Sequence, residues 1–377
     1  MIGPPDDEGV ARLLCIRGWA RSTLTFDAAA QADVDRALAI AQALGDRRLE
    51  LEVTDWRLRT VGELGTLTVA DPERMERLAI DLGDWARATH AMRMRAAFLV
   101  DDLPGEVWPI MDASEQILRR HGTDEDLGWV DYMRSEAGFC DGDWERALEC
   151  GLRAMDLAEG GAYHRVAVRT WHVLLPLAEA RDDRALLERA SAWYTAREGS
   201  FPDSPYGRIM EGAATVHFLR AGLWPEREVD PARRRDGLAV PGGGPSYVQA
   251  VETLVEHWLA AGLLAGVADS LAALEQALAA DPDPSDLFRN VVELLHARLA
   301  LAQAANRRDL ADPSTAVERA RAALAGFRRI GAPWWTFKVL DVLASAGSAS
   351  AQEAEEQAEI AALLRISPQW GRWLPSR

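Results

Sequence analysis

Ala37-Leu38-Ala39-Ile40-Ala41-Gln42-Ala43-Leu44 runs into Gly45, an amphipathic stretch stopped by a glycine. The same ending recurs at Gly83, Gly122, Gly160 and Gly199, at intervals of 38, 39, 38 and 39 residues. Glycine adopts the left-handed conformation that closes a helix at little cost, so each is expected just past a helix end. Other columns keep the same phase. Eleven residues after each glycine stand Trp56, Met94, Met133, Trp171 and Met210. Eight after stand Val53, Ala91, Val130, Val168 and Gly207, and fifteen after stand Thr60, Phe98, Ala137, Leu175 and Ala214. Offsets of 8, 11 and 15 share one helix face. Five before each glycine stand Ile40, Leu78, Ile117, Met155 and Tyr194, a second column on the preceding helix. The unit is therefore helix A, a turn, helix B, then glycine. One unit cannot bury both faces, and stacking closes the core.

The pattern predicts an all-α chain of antiparallel helix pairs in a right-handed superhelix, with residues 1–224 as one set of repeats. Residues 225–245 interrupt it with Pro225, Pro231, Arg233-Arg234-Arg235 and Pro241-Gly242-Gly243-Gly244-Pro245, which oppose a continuous helix. Pairing resumes over 246–263 with 267–280, 285–305 with 313–330, and 333–346 with 350–365. Residues 246–377 thus form a second set of repeats, whose broken tail, with Trp370 and Trp373, is expected to fold back as a cap.

Two units resemble tetratricopeptide repeats (TPRs) in detail. Gly142-Asp143-Trp144-Glu145-Arg146-Ala147 with Ala154 resembles their turn and small-residue positions, and Ala277-Leu278-Ala279-Ala280-Asp281-Pro282 their closing motif. Ser135 and Arg134 depart from the pattern, and the period exceeds the usual 34 residues. Leu44-Gly45-Asp46, Leu82-Gly83-Asp84 and the segment from Ala320 to Trp334 are similar to the TPR-like region of bacterial LuxR-type and STAND ATPase regulators and of ATPase-linked adenylate cyclases. The resemblance implies a TPR-like α-solenoid that senses a partner or effector and restrains an ATPase. A free-standing structural adaptor with no effector is the alternative.

Composition narrows the chemistry. Net charge is −17, which opposes a phosphate backbone, so no direct nucleic-acid partner is expected. No apolar run is long enough to span a membrane, and the acidic start, Met-Ile-Gly-Pro-Pro-Asp-Asp-Glu, lacks a signal peptide's apolar region. Cys15, Cys140 and Cys150 read as reduced thiols of a cytoplasmic protein. Lys338 is the only lysine and follows no glycine loop, so a P-loop is absent. There is no G-x-S-x-G elbow and no H-E-x-x-H helix. His164 and His172, with Cys140 and Cys150, are the one grouping that could suggest a metal, and unrelated helix residues are the simpler account. Asp101-Asp102 and Asp182-Asp183 read as helix caps or solvent-facing turns. The 14 tryptophans read mainly as packing residues. Neither catalysis nor a cofactor or metal is expected.

One set of columns suggests binding. Twelve residues after each glycine come Arg57, Arg95, Arg134, His172 and Glu211; nine after come Thr54, Met92, Asp131, Arg169 and Arg208. On helix A these flank the buried face. Arg57, Arg95, Arg134, Arg169, His172 and Arg208 are the candidate groove residues, suited to an acidic peptide, a protein segment or a small anionic effector. A solvated, self-paired face is the competing account.

Overall fold

The computed structural model describes residues 7–25, 29–63, 68–197, 205–231, 238, 245–281, 284–306 and 314–371. Among them the regular structure is entirely helical. The N-terminal part holds α1 (Glu8–Thr25), α2 (Ala29–Leu44), α3 (Arg47–Glu63), α4 (Ala70–Leu82), α5 (Trp85–Leu99) and α6 (Pro104–His121). The middle holds α7 (Asp124–Asp141), α8 (Trp144–Gly161), α9 (His164–Arg181), α10 (Arg184–Thr195) and α11 (Pro205–Arg220). Then follow α12 (Pro245–Ala260), α13 (Leu264–Ala280), α14 (Asp286–Asn306), α15 (Ser314–Ile330), α16 (Pro333–Ser345) and α17 (Ala351–Leu364). None of the described helices is long and apolar enough to cross a membrane.

Two-residue connections reverse the chain so that neighbours pack antiparallel. Four of them, at Gly45-Asp46, Gly83-Asp84, Gly142-Asp143 and Asp182-Asp183, join a left-handed residue to a capping aspartate. Gly83 has φ 68°, and Asp84 accepts from the Arg87 amide at 3.1 Å. Gly142 has φ 86°, and Asp143 accepts from Arg146 at 3.2 Å. At the next turn Asp182 takes the left-handed place with φ 58°, and Asp183 caps α10 through Leu186 at 3.0 Å. The glycine rule holds at Gly45 and Gly83 but not throughout. Gly122 is extended, and α7 starts instead from a capping box between Thr123 and Asp126. Gly160 lies inside α8, which ends at left-handed Ala162. Gly199 lies outside the described residues.

The buried columns follow the predicted phase. Val53, Ala91, Val130, Met133, Trp171, Met210, Ala137, Leu175 and Ala214 are all closed from solvent on their A helices. Ile40, Leu78, Met155 and Tyr194 are buried on the B helices. Trp56, Met94 and Val168 on the A helices and Ile117 on a B helix are only half-buried, and Phe98 breaks the column at 37% exposed.

The chain then folds back on itself. α12 packs against α7, α9, α11 and α14, and α16 packs against α7. Every α12 residue from Pro245 to Glu256 is buried, as befits a helix surrounded on all sides. Phe139 of α7 meets the Trp335 ring of α16 at 5.7 Å, and Trp144 of α8 meets Trp334 at 5.2 Å. Arg181 Nε donates to the Leu364 carbonyl at 3.0 Å, and the Ser367 amide donates to the Ala180 carbonyl at 2.7 Å. Asp102, in the α5–α6 turn, caps α14 from across the fold by accepting from Asp286 and Leu287, each at 3.1 Å. The inner faces of α7, α9 and α16 therefore look onto α12.

Residues 221–231 after α11 carry no helix, and the Val229 carbonyl accepts from Trp258 Nε1 at 2.9 Å. Arg233-Arg234-Arg235 and Gly242-Gly243-Gly244 lie outside the described residues. Trp370 folds back and packs on Trp334 and Phe337 at 5.3 and 5.2 Å. Trp373 lies outside the described residues.

Candidate functional site

The three arginines of the predicted row sit on α3, α5 and α7, and each meets carboxylates of a neighbouring B helix. Arg57 bridges Asp35 of α2 at 2.8 Å and Asp71 of α4 at 2.5 Å. Arg95 lies 3.3 Å from Glu76 of α4. Arg134 reaches Asp112 at 2.5 Å and Glu115 at 2.7 Å on α6, and Asp131 on its own helix at 3.6 Å. Arg134 is buried, unlike the exposed position expected of a groove cation. Asp131 is shared with Arg153 of α8 at 2.8 Å. Arg57, Arg95 and Arg134 thus each carry an ion pair from their A helix to the B helix before it. Such pairs hold side chains in register and neutralise a row of like charges.

The other candidates stand on α9 and α11. His172 is fully enclosed, with its Nε2 3.2 Å from the Tyr194 hydroxyl. Burial, with His217 and Arg169 adding repulsion, pushes it down to about 3, so it is a neutral ring. Arg169 is half-buried and acts electrostatically on both His172 and Glu136. Arg208 is half-buried on α11. The structure therefore gathers Arg169 and His172, and keeps Arg57, Arg95 and Arg134 on three separate helices. His164 is exposed while His172, Cys140 and Cys150 are buried. Among the described residues no group of three His, Cys, Asp or Glu side chains is arranged to hold a metal ion.

A second constellation, not anticipated from sequence, lies where α12 meets α9, α11, α14 and α16. Glu252 and Glu256, one turn apart on α12, face Lys338 of α16. Its ammonium is 2.7 Å from Glu252 Oε1 and 2.9 Å from Glu256 Oε1. Trp335 Nε1 donates to the other Glu252 oxygen at 3.1 Å, and Trp334 Nε1 donates to Gln249 at 3.0 Å. Arg298 of α14 lies 3.2 Å from Glu256. Arg220 of α11 lies 3.3 Å from Glu179 of α9 and 3.9 Å from Glu256, and His217 completes the Glu179 site at 2.5 Å. Burial raises Glu252, with Lys338 opposing it. Burial would raise Glu256 too, but Lys338, Arg298 and Arg220 outweigh it and hold the group below its usual value. For Glu179, Arg220 and His217 outweigh burial and bring it down to about 2.

Buried Glu252 and Glu256 and half-buried Glu179 thus face buried Lys338 and Arg298 and half-buried Arg220 across five helices. Buried charges are tolerable only when paired in this way. The geometry ties helices together and suits a structural clamp. The sequence held two signals for it: glutamates four apart in the apolar run Val248–Leu259, and the single lysine inside the apolar run Trp334–Leu343. Elsewhere Glu136 is also buried, accepting from the Tyr132 hydroxyl at 2.8 Å and the Ser246 amide at 2.9 Å. Asp101, expected to cap or face solvent, is buried, which raises it well above the carboxylate range.

Two surface depressions lie among the described residues near these sites. One of about 240 Å³ lies between α2, α3 and α4, lined by Arg57, Arg74, Asp35, Asp71 and Thr54. A wider one of about 590 Å³ runs along α8 over Asp143, Glu145, Arg146 and Glu149, and holds none of the six candidate residues. No protein-family model matches the chain, and no curated protein matches it either.

Proposed function

We propose that this chain is a TPR-like α-solenoid that binds a protein or peptide segment without catalysing a reaction, as the sensor or scaffold part of a bacterial signalling or transcriptional regulator. The observation that carries the reading is the recurrence of one helix-pair unit, with most of the same offsets buried and an ion pair from Arg57, Arg95 and Arg134 to the preceding B helix in three successive repeats. Stacked repeats expose extended surfaces shaped by the repeat, and those surfaces are what such proteins use. Because α12 fills the space between α7, α9 and α16, the partner docks on the N-terminal units, α1 to α6. The depression beside Arg57 and Arg74 is the feature there that would take a carboxylate or other small anion, by exchange for Asp71 or Glu50.

A thermal-shift screen against acidic peptides, nucleotides and sugar acids tests this, since a ligand that binds the folded state raises apparent stability. The expected hit is an anionic peptide or effector whose shift is lost in Arg57→Gln/Arg74→Gln. Turnover of any screened compound, or a hit that is indifferent to both substitutions, contradicts the reading.

A further inference from the structure

The two ends of the helix stack are finished differently. The last described helix, α17, turns Glu355 and Glu359 outwards among alanines, with Leu363 exposed beside them near its end. The first helix, α1, buries Ala11, Leu14, Cys15, Gly18 and Ser22 against α2 and α3. Its opposite face carries Gly9, Leu13, Ile16 and Ala20, spaced 4, 3 and 4 residues apart, with no charge among them. Leu13 is 67% exposed and Ile16 is 53% exposed. That is the seam of a helix expecting another helix.

We propose that this face binds the same face of a second copy, as an antiparallel α1–α1 pair about a two-fold axis. The stripe is its own complement. With the axis between residues 14 and 15, Gly9 meets Ala20 of the second copy and Leu13 meets Ile16, so small residues flank a large pair at the centre. A two-fold interface requires this self-matching. The flanks agree. Arg12 and Trp19 share one side of the helix, and antiparallel pairing brings each Arg12 alongside the second copy's Trp19, a cation over an exposed indole. Arg12 is already paired with Glu8 and Glu52, and Arg17 with Asp33, so the approaching arginines are neutralised. The stripe from Gly9 to Ala20 is about 18 Å long at helical rise. One such seam falls at the small end of specific interfaces, so the dimer is reversible and concentration-dependent.

Sedimentation equilibrium of the full chain over rising concentration tests it. The expected mass climbs from 41.4 kDa towards twice that value. Leu13→Glu/Ile16→Glu holds the chain at monomer mass with its helical signal unchanged, whereas Leu363→Glu, at the exposed leucine of α17, leaves the dimer intact. As a second readout that needs no charged substitution, a mixture of Leu13→Cys and Ile16→Cys chains forms the mixed disulfide faster than either forms its own. A chain that stays monomeric throughout, a dimer that survives the double glutamate variant, or preferential Leu13→Cys self-crosslinking overturns the proposal.

Discussion

Lys338 Nζ lies 2.7 Å from Glu252 and 2.9 Å from Glu256, and all three side chains are shut off from water. The two carboxylates stand one helical turn apart and would repel strongly in that environment. Lys338 ties α16 to α12 and relieves them. Lys338→Met should therefore destabilise the chain by about 3–5 kcal/mol, because it strands a buried pair of carboxylates. Adding Glu252→Gln should return part of that loss. Urea unfolding of the three proteins checks it. A single variant as stable as wild type means the carboxylates are already protonated and the lysine holds nothing.

Acid should weaken the fold in two stages. His172 and His257 are brought by burial to about 3 and about 4 from an ordinary 6.5, with cationic neighbours adding to the effect. Both are neutral when folded, while the unfolded chain takes up protons below 6.5. Stability is thus whole above pH 6.5 and falls as pH drops towards about 4 and then about 3. Glu179, held near 2 against an ordinary 4.5, adds stability that is whole above pH 4.5 and lost between there and about 2. His172→Gln should flatten the slope between pH 6.5 and 4 by about 1.4 kcal/mol per pH unit. Urea midpoints measured at half-unit intervals read this directly. An unchanged slope contradicts it.

The arginine row should not respond evenly. Arg134 is buried with two B-helix carboxylates, while Arg95 is partly exposed with one. Arg134→Gln should cost about 1.5–3 kcal/mol, the range for hydrogen bonds between charged groups. Arg95→Gln should stay within about 1 kcal/mol. Equal and negligible losses would point to a solvent-facing row and return these side chains to ligand binding.

Two left-handed glycines separate backbone strain from packing. A methyl group at Gly83 meets nothing within 4 Å, whereas at Gly142 it would stand 2.5 Å from Pro333 Cγ, at the contact of α7 with α16. Gly83→Ala should cost about 1–2 kcal/mol from the left-handed backbone alone. Gly142→Ala should cost more, since the seam must also open. Thermal midpoints of the two variants give the order, and the reverse order argues against closure at Pro333.

Local signals carried the reading of the helices. Asp84, Asp143 and Asp183 announce helix starts, and the columns through Met133, Trp171 and Met210 announce the buried face, because both depend on residues within one repeat. The closure was not legible. It depends on Asp102 capping α14, on Arg181 reaching Leu364 and on Lys338 reaching α12, pairings separated by scores of residues and visible only in three dimensions. The candidate row was legible as arginines at a constant offset. Their partners were marked only in part: Glu76 and Glu115 each precede their arginine by 19 residues, and Asp35 and Asp112 by 22, but neither offset runs through all three repeats, and the chain has 59 acidic residues.

α12 is enclosed by α7, α9, α11, α14 and α16, and under the proposed function α1 to α6 are what is left for a partner. Native-state hydrogen exchange of the full chain tests it most directly, because amides that open only on global unfolding exchange last. The account predicts that Tyr247–Leu259 of α12 and Trp335–Leu343 of α16 form the slowest group, together with α7 and α9, and that α1 and α17 exchange first. Exchange of α12 as fast as α1 would contradict it, and would mean that the inner faces open onto solvent and are free to bind.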